Sequence, residues 1–143
     1  MKSQFALADK PEPTSTIDVK FHFNPELDTI LLCQNFGNNL NFGQKMFKTF
    51  IDTIDTDIQE LESGINRMDY EAIQKVTHKI KNNFSWVGLP LLSKLTCQLE
   101  LSANNHSEEV TTQYTKLKAL LDANHSTIKE ELKRINTHLN SLK

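Results

Sequence analysis

Asp69-Tyr70-Glu71-Ala72-Ile73-Gln74-Lys75-Val76-Thr77-His78-Lys79-Ile80-Lys81-Asn82-Asn83-Phe84-Ser85-Trp86-Val87-Gly88-Leu89-Pro90 is the stretch that decides the fold. Asp69 is placed to cap a helix, and Glu71 in its first turn complements the helix dipole. At about 100° per residue, Ile73, Val76, Thr77, Ile80, Phe84 and Val87 fall within roughly 40–60° of one direction, which makes a buried stripe. Gly88 and Pro90 end the helix. His78 lies about 140° from the centre of that stripe by the same arithmetic. Gln74, Lys81 and Ser85 share its side, and Lys75 and Asn82 border the patch. The stretch therefore reads as a helix with an apolar back and a wet face that carries a histidine.

The same period continues outward in both directions. Upstream, a helix starting near Asn41 carries Met46, Phe47, Phe50, Ile51, Ile54, Ile58, Leu61 and Ile65, three and four apart, with a turn expected over Gly64 to Met68. Before it, Asn24 and Pro25 signal the start of a short helix to about Cys33. Downstream, a helix is expected from Pro90 to about Ala103, then a polar turn from Asn104 to Ser107. A last helix has Val110, Tyr114, Leu117, Leu121, Ile128, Ile135, Leu139 and Leu142 on one stripe. Asn124 interrupts that stripe, and Thr127 with Glu130 forms a capping-box pattern, so a bend or break is expected around Asp122 to Ser126. Trp86 points off the stripe of its own helix and is expected to pack under the first helix or the N-terminal arm.

Residues 1–23 differ from the rest. They hold Pro11 and Pro13, show no helical period, and alternate Ile17, Val19, Phe21 and Phe23. This segment reads as a linker or loosely docked arm, and residues 24–143 as the folded unit. The fold class is all-α: an antiparallel four-helix bundle with a short N-terminal helix and a long last helix.

Composition narrows the function. The chain has 143 residues, 16 Lys plus Arg against 18 Asp plus Glu, and a net charge of −2, which disfavours a general nucleic-acid binder. No apolar run approaches the ~18 residues of a spanning helix, and no apolar signal segment opens the chain. Two cysteines, Cys33 and Cys97, make no disulfide framework or zinc-type spacing, which fits a reducing cytoplasm. No Gly-rich phosphate loop or Ser/His/Asp order occurs, so no ATP site, cofactor site or metal site is expected.

An accessible imidazole with a lysine one turn on suits acceptance of a phosphoryl group, whose oxygens need neutralising as it arrives. The run from Thr77 to Leu92, continuing to Leu99 and Glu100, resembles the histidine-containing phosphotransfer (HPt) domain of multistep two-component phosphorelays. The family pattern has the active histidine, a lysine three residues on, a glycine ten on, a leucine fourteen on and a Leu-Glu pair near twenty-one and twenty-two. Here His78, Lys81, Gly88, Leu92, Leu99 and Glu100 stand at those places. The resemblance covers about Asn24 to Ala123. One departure is Asn82, where the family usually has glycine.

The resemblance implies that His78 is phosphorylated, through Nε2, by the aspartyl-phosphate of one receiver domain, and passes the group to another. Lys81 would support the phosphoryl group. Gln74, Lys75, Lys79, Asn82, Ser85 and Lys94 are candidate partner contacts, and Gly88 a structural turn. Each has a plainer reading as ordinary wet surface, as do His22, His106, His125 and His138. The implied partners are response-regulator receiver domains and a hybrid sensor histidine kinase, with Mg²⁺ carried by the receiver. The chain would be a monomeric carrier without kinase activity of its own. The alternative is an adaptor bundle that binds receivers without phosphotransfer.

Overall fold

Three asparagine and aspartate side chains start the first three helices of the chain. The computed structural model describes residues 21–142. Within them lie α1 (Thr29–Phe36), α2 (Leu40–Asn66), α3 (Tyr70–Ile80), α4 (Asn83–Trp86), α5 (Pro90–Asn104) and α6 (Glu109–Ser141). Asp28, Asn39 and Asp69 cap α1, α2 and α3, accepting the N–H groups of Leu31, Phe42 and Ala72 at 2.9, 3.0 and 3.1 Å. Each cap satisfies a donor that the helix itself cannot. Proline in the first turn opens α5.

The four long helices form the bundle. α2 packs on α3 and α6, and α5 packs on α3 and α6, which closes the ring. Short connections make sequential neighbours antiparallel. Phe47, Ile54, Leu61, Ile73, Ile80, Leu99, Leu117, Ile128 and Ile135 meet in the middle, each fully or almost fully buried. Burial on that scale contributes about 1.5–3 kcal/mol per side chain. Among the described residues there is no strand, so the all-α expectation holds.

Four local expectations need correction. α1 begins at Thr29 and not at Pro25: Asn24 Oδ1 accepts the Glu26 N–H at 2.8 Å and its carbonyl accepts that of Leu27, which forms a turn instead. α1 then runs past Cys33 to Phe36, where Gly37 at φ +53 ends it. Gly64 is inside α2, not in the turn, because an added Cβ there would come within 3.2 Å of Ile73 Cγ1 and hold the two helices apart. The helix that carries His78 stops at Ile80, and α4 resumes after Lys81 and Asn82. Two adjacent asparagines, Asn82 and Asn83, are poor helix formers and ease that break.

The fourth correction concerns α6. It is continuous over 33 residues, about 50 Å. Asn124 does not break it, because its Nδ2 donates to the Leu120 carbonyl of the same helix at 2.8 Å. Thr127 makes no cap and donates to Glu26 Oε1 at 3.2 Å.

Trp86 rests against Phe36 of α1 and Phe42 of α2, so it packs under the first helix as expected. Residues 1–20, with Ile17 and Val19, lie outside the described residues. Phe21 and Phe23 do pack on the core, and Arg134 of α6 stacks over the Phe21 ring and donates to the His22 carbonyl. No helix among the described residues is long and apolar enough to cross a membrane.

Candidate functional site

The cap at Asp69 sets the phase of α3, and that phase decides which side chains meet solvent. Ile73, Val76, Thr77 and Ile80 are buried, and Thr77 Oγ1 donates to the Ile73 carbonyl at 2.7 Å, so even its hydroxyl is turned inward. His78 follows on the outer side with 73% of its side chain exposed. The facing helix, α5, buries Leu92, Leu95, Thr96, Leu99 and Ala103. Glu100, the residue after Leu99, therefore sits on the flank of α5 that looks at α3.

One carboxylate ties the site together. Glu100 Oε2 lies 2.9 Å from His78 Nδ1, and Glu100 Oε1 accepts from Lys81 Nζ at 3.0 Å. An ionised carboxylate only accepts, so its contact with His78 requires the proton on Nδ1. The lone pair of the neutral ring is then on Nε2, the nitrogen that Glu100 does not engage. Burial works to raise the Glu100 carboxyl, but the hydrogen bonds from Lys81 and His78 outweigh it and hold the group below the ordinary carboxylate range. Glu100 is thus an anion at neutral pH.

Polar contacts to α5 continue on either side, from α3 and from α4. One turn before His78, Gln74 Nε2 donates to Asn104 Oδ1. Beyond Lys81, the Ser85 and Ser93 hydroxyls bond to each other at 2.8 Å. Glu71, Gln74, Lys75, His78, Glu100 and Asn104 line an open groove of about 350 Å³. It is shallow and open, and lined by polar and charged residues, which suits contact with another protein's surface better than enclosure of a small molecule.

Not every candidate residue converges here. Lys75 and Lys81 stand beside His78, and Lys94 is exposed on α5. Ser85 is half-buried, with its carbonyl bound by Asn35 Nδ2 of α1 at 3.0 Å, so it is a joint between helices. Lys79 points to the α2 flank, where its ammonium holds Asp57 at 3.0 Å and Glu60 at 3.2 Å. Those hydrogen bonds raise its affinity for the proton. Asn82 is exposed past the end of α3 and makes no side-chain cap for α4. Gly88 has φ +81, and a Cβ there would meet Leu32 Cδ1 at 3.0 Å. Among the other histidines, His106 stacks on Tyr70 and His138 lies edge-on to Phe21.

Glu100 is the residue that sequence reasoning placed in a pattern without giving it work. Its signal was a carboxylate directly after a stripe leucine, on the helix following the histidine. Only the pairing of α3 with α5 turns that into a contact.

A family model described as Hpt domain matches residues 45–138, well over half of the chain. The match starts inside α2, so α1 lies outside it, and it runs down α6 beyond Ala123. His78, Lys81, Gly88 and Glu100 all lie within it. No curated protein and no solved structure matches the chain.

Proposed function

This chain belongs to the Hpt domain family, whose business is histidine phosphotransfer with receiver domains and kinases, and on that premise we propose that it is a phosphorelay intermediate carrying the phosphoryl group on His78. The observation that supports the assignment is the His78–Glu100 contact: with the proton held on Nδ1 it leaves the lone pair on Nε2, on a side chain that is 73% exposed. Nε2 attacks the phosphorus of a receiver's aspartyl-phosphate, and the P–O bond electrons leave on the receiver's carboxylate. Transfer to a second receiver runs the same step in reverse.

Lys81 lies one turn from the ring, and its flexible stem lets the ammonium move from Glu100 towards the arriving phosphoryl oxygens. Lys75 and Lys94 offer charge to an acidic docking surface, while Lys79 is engaged with α2 and contributes less. Any Mg²⁺ is expected on the receiver. A monomeric, cytoplasmic carrier without its own kinase activity goes with this reading.

The test is phosphotransfer from a receiver charged with acetyl phosphate. Wild type is expected to gain an acid-labile, base-stable modification at residue 78, and His78→Gln to lose it with melting changed by less than about 0.5 kcal/mol, since the side chain is exposed. Label that persists in His78→Gln overturns the assignment. Receiver binding by wild type without any label would favour the adaptor alternative.

A further inference from the structure

We propose that Glu100 is a positioning residue that keeps the phosphorylated His78 ring cationic, and so keeps the phosphoryl group transferable at neutral and mildly alkaline pH. The proposal rests on the phosphorelay reading and goes beyond it, to what sets the reactivity of the carrier.

The charge balance of the step leads there. Before transfer, the ring is neutral, with its proton on Nδ1 and its lone pair on Nε2. Forming the N–P bond uses that lone pair and moves no proton, so the product ring carries phosphorus on Nε2, hydrogen on Nδ1 and one positive charge. In that state the N–P bond is weak, because returning its electrons to Nε2 restores a neutral imidazole. Loss of the Nδ1 proton removes the charge and makes the ring a poorer leaving group. Whether the proton stays is therefore what separates a ready donor from a store.

Glu100 acts at that atom. Its Oε2 is 2.9 Å from Nδ1, and only 18% of its side chain is exposed. An anion at that distance favours the protonated ring. Before transfer the carboxylate is shared, with Lys81 Nζ at 3.0 Å from its other oxygen. If the ammonium shifts towards the phosphoryl oxygens, Glu100 loses its competing cation and faces the ring alone. Every charge then has a partner: phosphoryl with Lys81, ring with carboxylate. The other charged groups lining the groove are Glu71 and Lys75 of α3, and α5 adds the uncharged Asn104. No residue of α1, α2, α4 or α6 lines it. A glutamine at position 100 would keep a hydrogen bond but would serve the protonated and deprotonated rings alike, since its amide both donates and accepts.

The experiment uses the full chain with ¹⁵N-labelled histidine, phosphorylated with phosphoramidate. The pH at which the phosphorylated ring loses its Nδ1 proton is read by NMR for folded wild type, for the same phosphoprotein unfolded in urea, and for Glu100→Gln. Folded wild type is expected to hold the proton to a pH about one unit or more above the urea sample, at the low end of the usual range because the ring is exposed. Glu100→Gln is expected to move back towards the urea value. Onward transfer to a Mg²⁺-loaded receiver should fall off at lower pH in Glu100→Gln, and the two proteins should converge in mild acid. A purely structural role would lower melting temperature without moving these pH profiles. Coincident titrations of folded and unfolded wild type overturn the inference while leaving the carrier reading intact, and need no variant to fold. A wild type that takes no phosphoryl group from phosphoramidate or from a charged receiver removes both.

Discussion

Glu131 has no exposed surface, and its Oε2 accepts the backbone N–H of Asn24 at 2.7 Å across 107 positions of sequence. Its other oxygen is held by Arg134, which also donates to the His22 carbonyl at 2.8 Å. A buried carboxylate so placed ties residues 22–24 to α6. Glu131→Ala leaves the part-buried Asn24 N–H without its acceptor and loses the ion pair to a half-exposed Arg134, so stability should fall by about 1–2 kcal/mol in urea titrations. Glu131→Gln retains one acceptor and should cost less. Hydrogen exchange at the Asn24 amide should quicken in both. An Asn24 amide that exchanges as slowly in Glu131→Ala as in wild type would show that the clip does not hold the arm.

Gly88 is where the chain turns from α4 to α5 and touches α1. Its carbonyl accepts the Asp28 N–H at 2.9 Å, its φ is +81, and an added Cβ would lie 3.0 Å from Leu32 Cδ1 and 3.1 Å from Leu27 Cβ. Gly88→Ala combines the backbone strain of a positive φ with overpacking against buried leucines, so about 2–4 kcal/mol should be lost. The His78–Glu100 pair is built by α3 and α5, so labelling of His78 below the melting temperature should persist. Wild-type stability for Gly88→Ala in urea would mean that α1 gives way freely.

The parts of this fold legible in sequence were those with a strong period. The stripes of α2, α3 and α6 predicted both the helices and the side from which His78 emerges. The breaks were harder, because they depend on where one helix meets another. Gly64 looked like a turn signal, yet it serves close approach to Ile73. Asn124 looked like an interruption, yet its amide is satisfied by its own helix. Lys79 looked like a free surface cation until α2 brought Asp57 and Glu60 beside it. The role of Glu100 needed the α3–α5 pairing, which no local pattern states.

The pH dependence of the site follows from Glu100. Burial would raise its carboxyl, but the Lys81 and His78 hydrogen bonds leave it net lowered from 4.5. A lowered folded value means that the contribution is fully present above the unfolded value and is lost as pH falls through the folded one. The part of the melting-temperature gap between wild type and Glu100→Gln that comes from the lowered carboxyl should therefore be lost as pH falls below about 4.5. Lys79 has the opposite sign: raised by Asp57 and Glu60 from 10.5, its contribution holds below that pH and is lost as pH rises further. With more than half of its side chain exposed, that second effect should be small and should fade with salt. A gap that persisted undiminished well below pH 4.5 would contradict the assignment at Glu100.

Asn82 tests how much of partner choice lies in one side chain. It is exposed just beyond α3, one turn from His78, at φ −87 and ψ −15, and as the N-cap residue of α4 its side chain makes no capping hydrogen bond. Both values are ordinary for any residue, so Asn82→Gly should cost no more than about 0.5–1 kcal/mol through added backbone freedom. On the phosphorelay reading, a docking receiver must bring its phosphorus to about 3–3.5 Å from the reacting nitrogen, and an exposed carboxamide one turn from His78 would lie in the path of that approach. Removing it should widen the set of receivers that exchange phosphate with His78, while the cognate receiver, shaped to this side chain, should gain little or lose rate. The measurement is transfer rate for wild type and Asn82→Gly against one cognate and several non-cognate receivers, at equal folded fraction. Equal rates for both proteins with every receiver would make Asn82 a tolerated surface residue and place specificity elsewhere on the α3–α5 face.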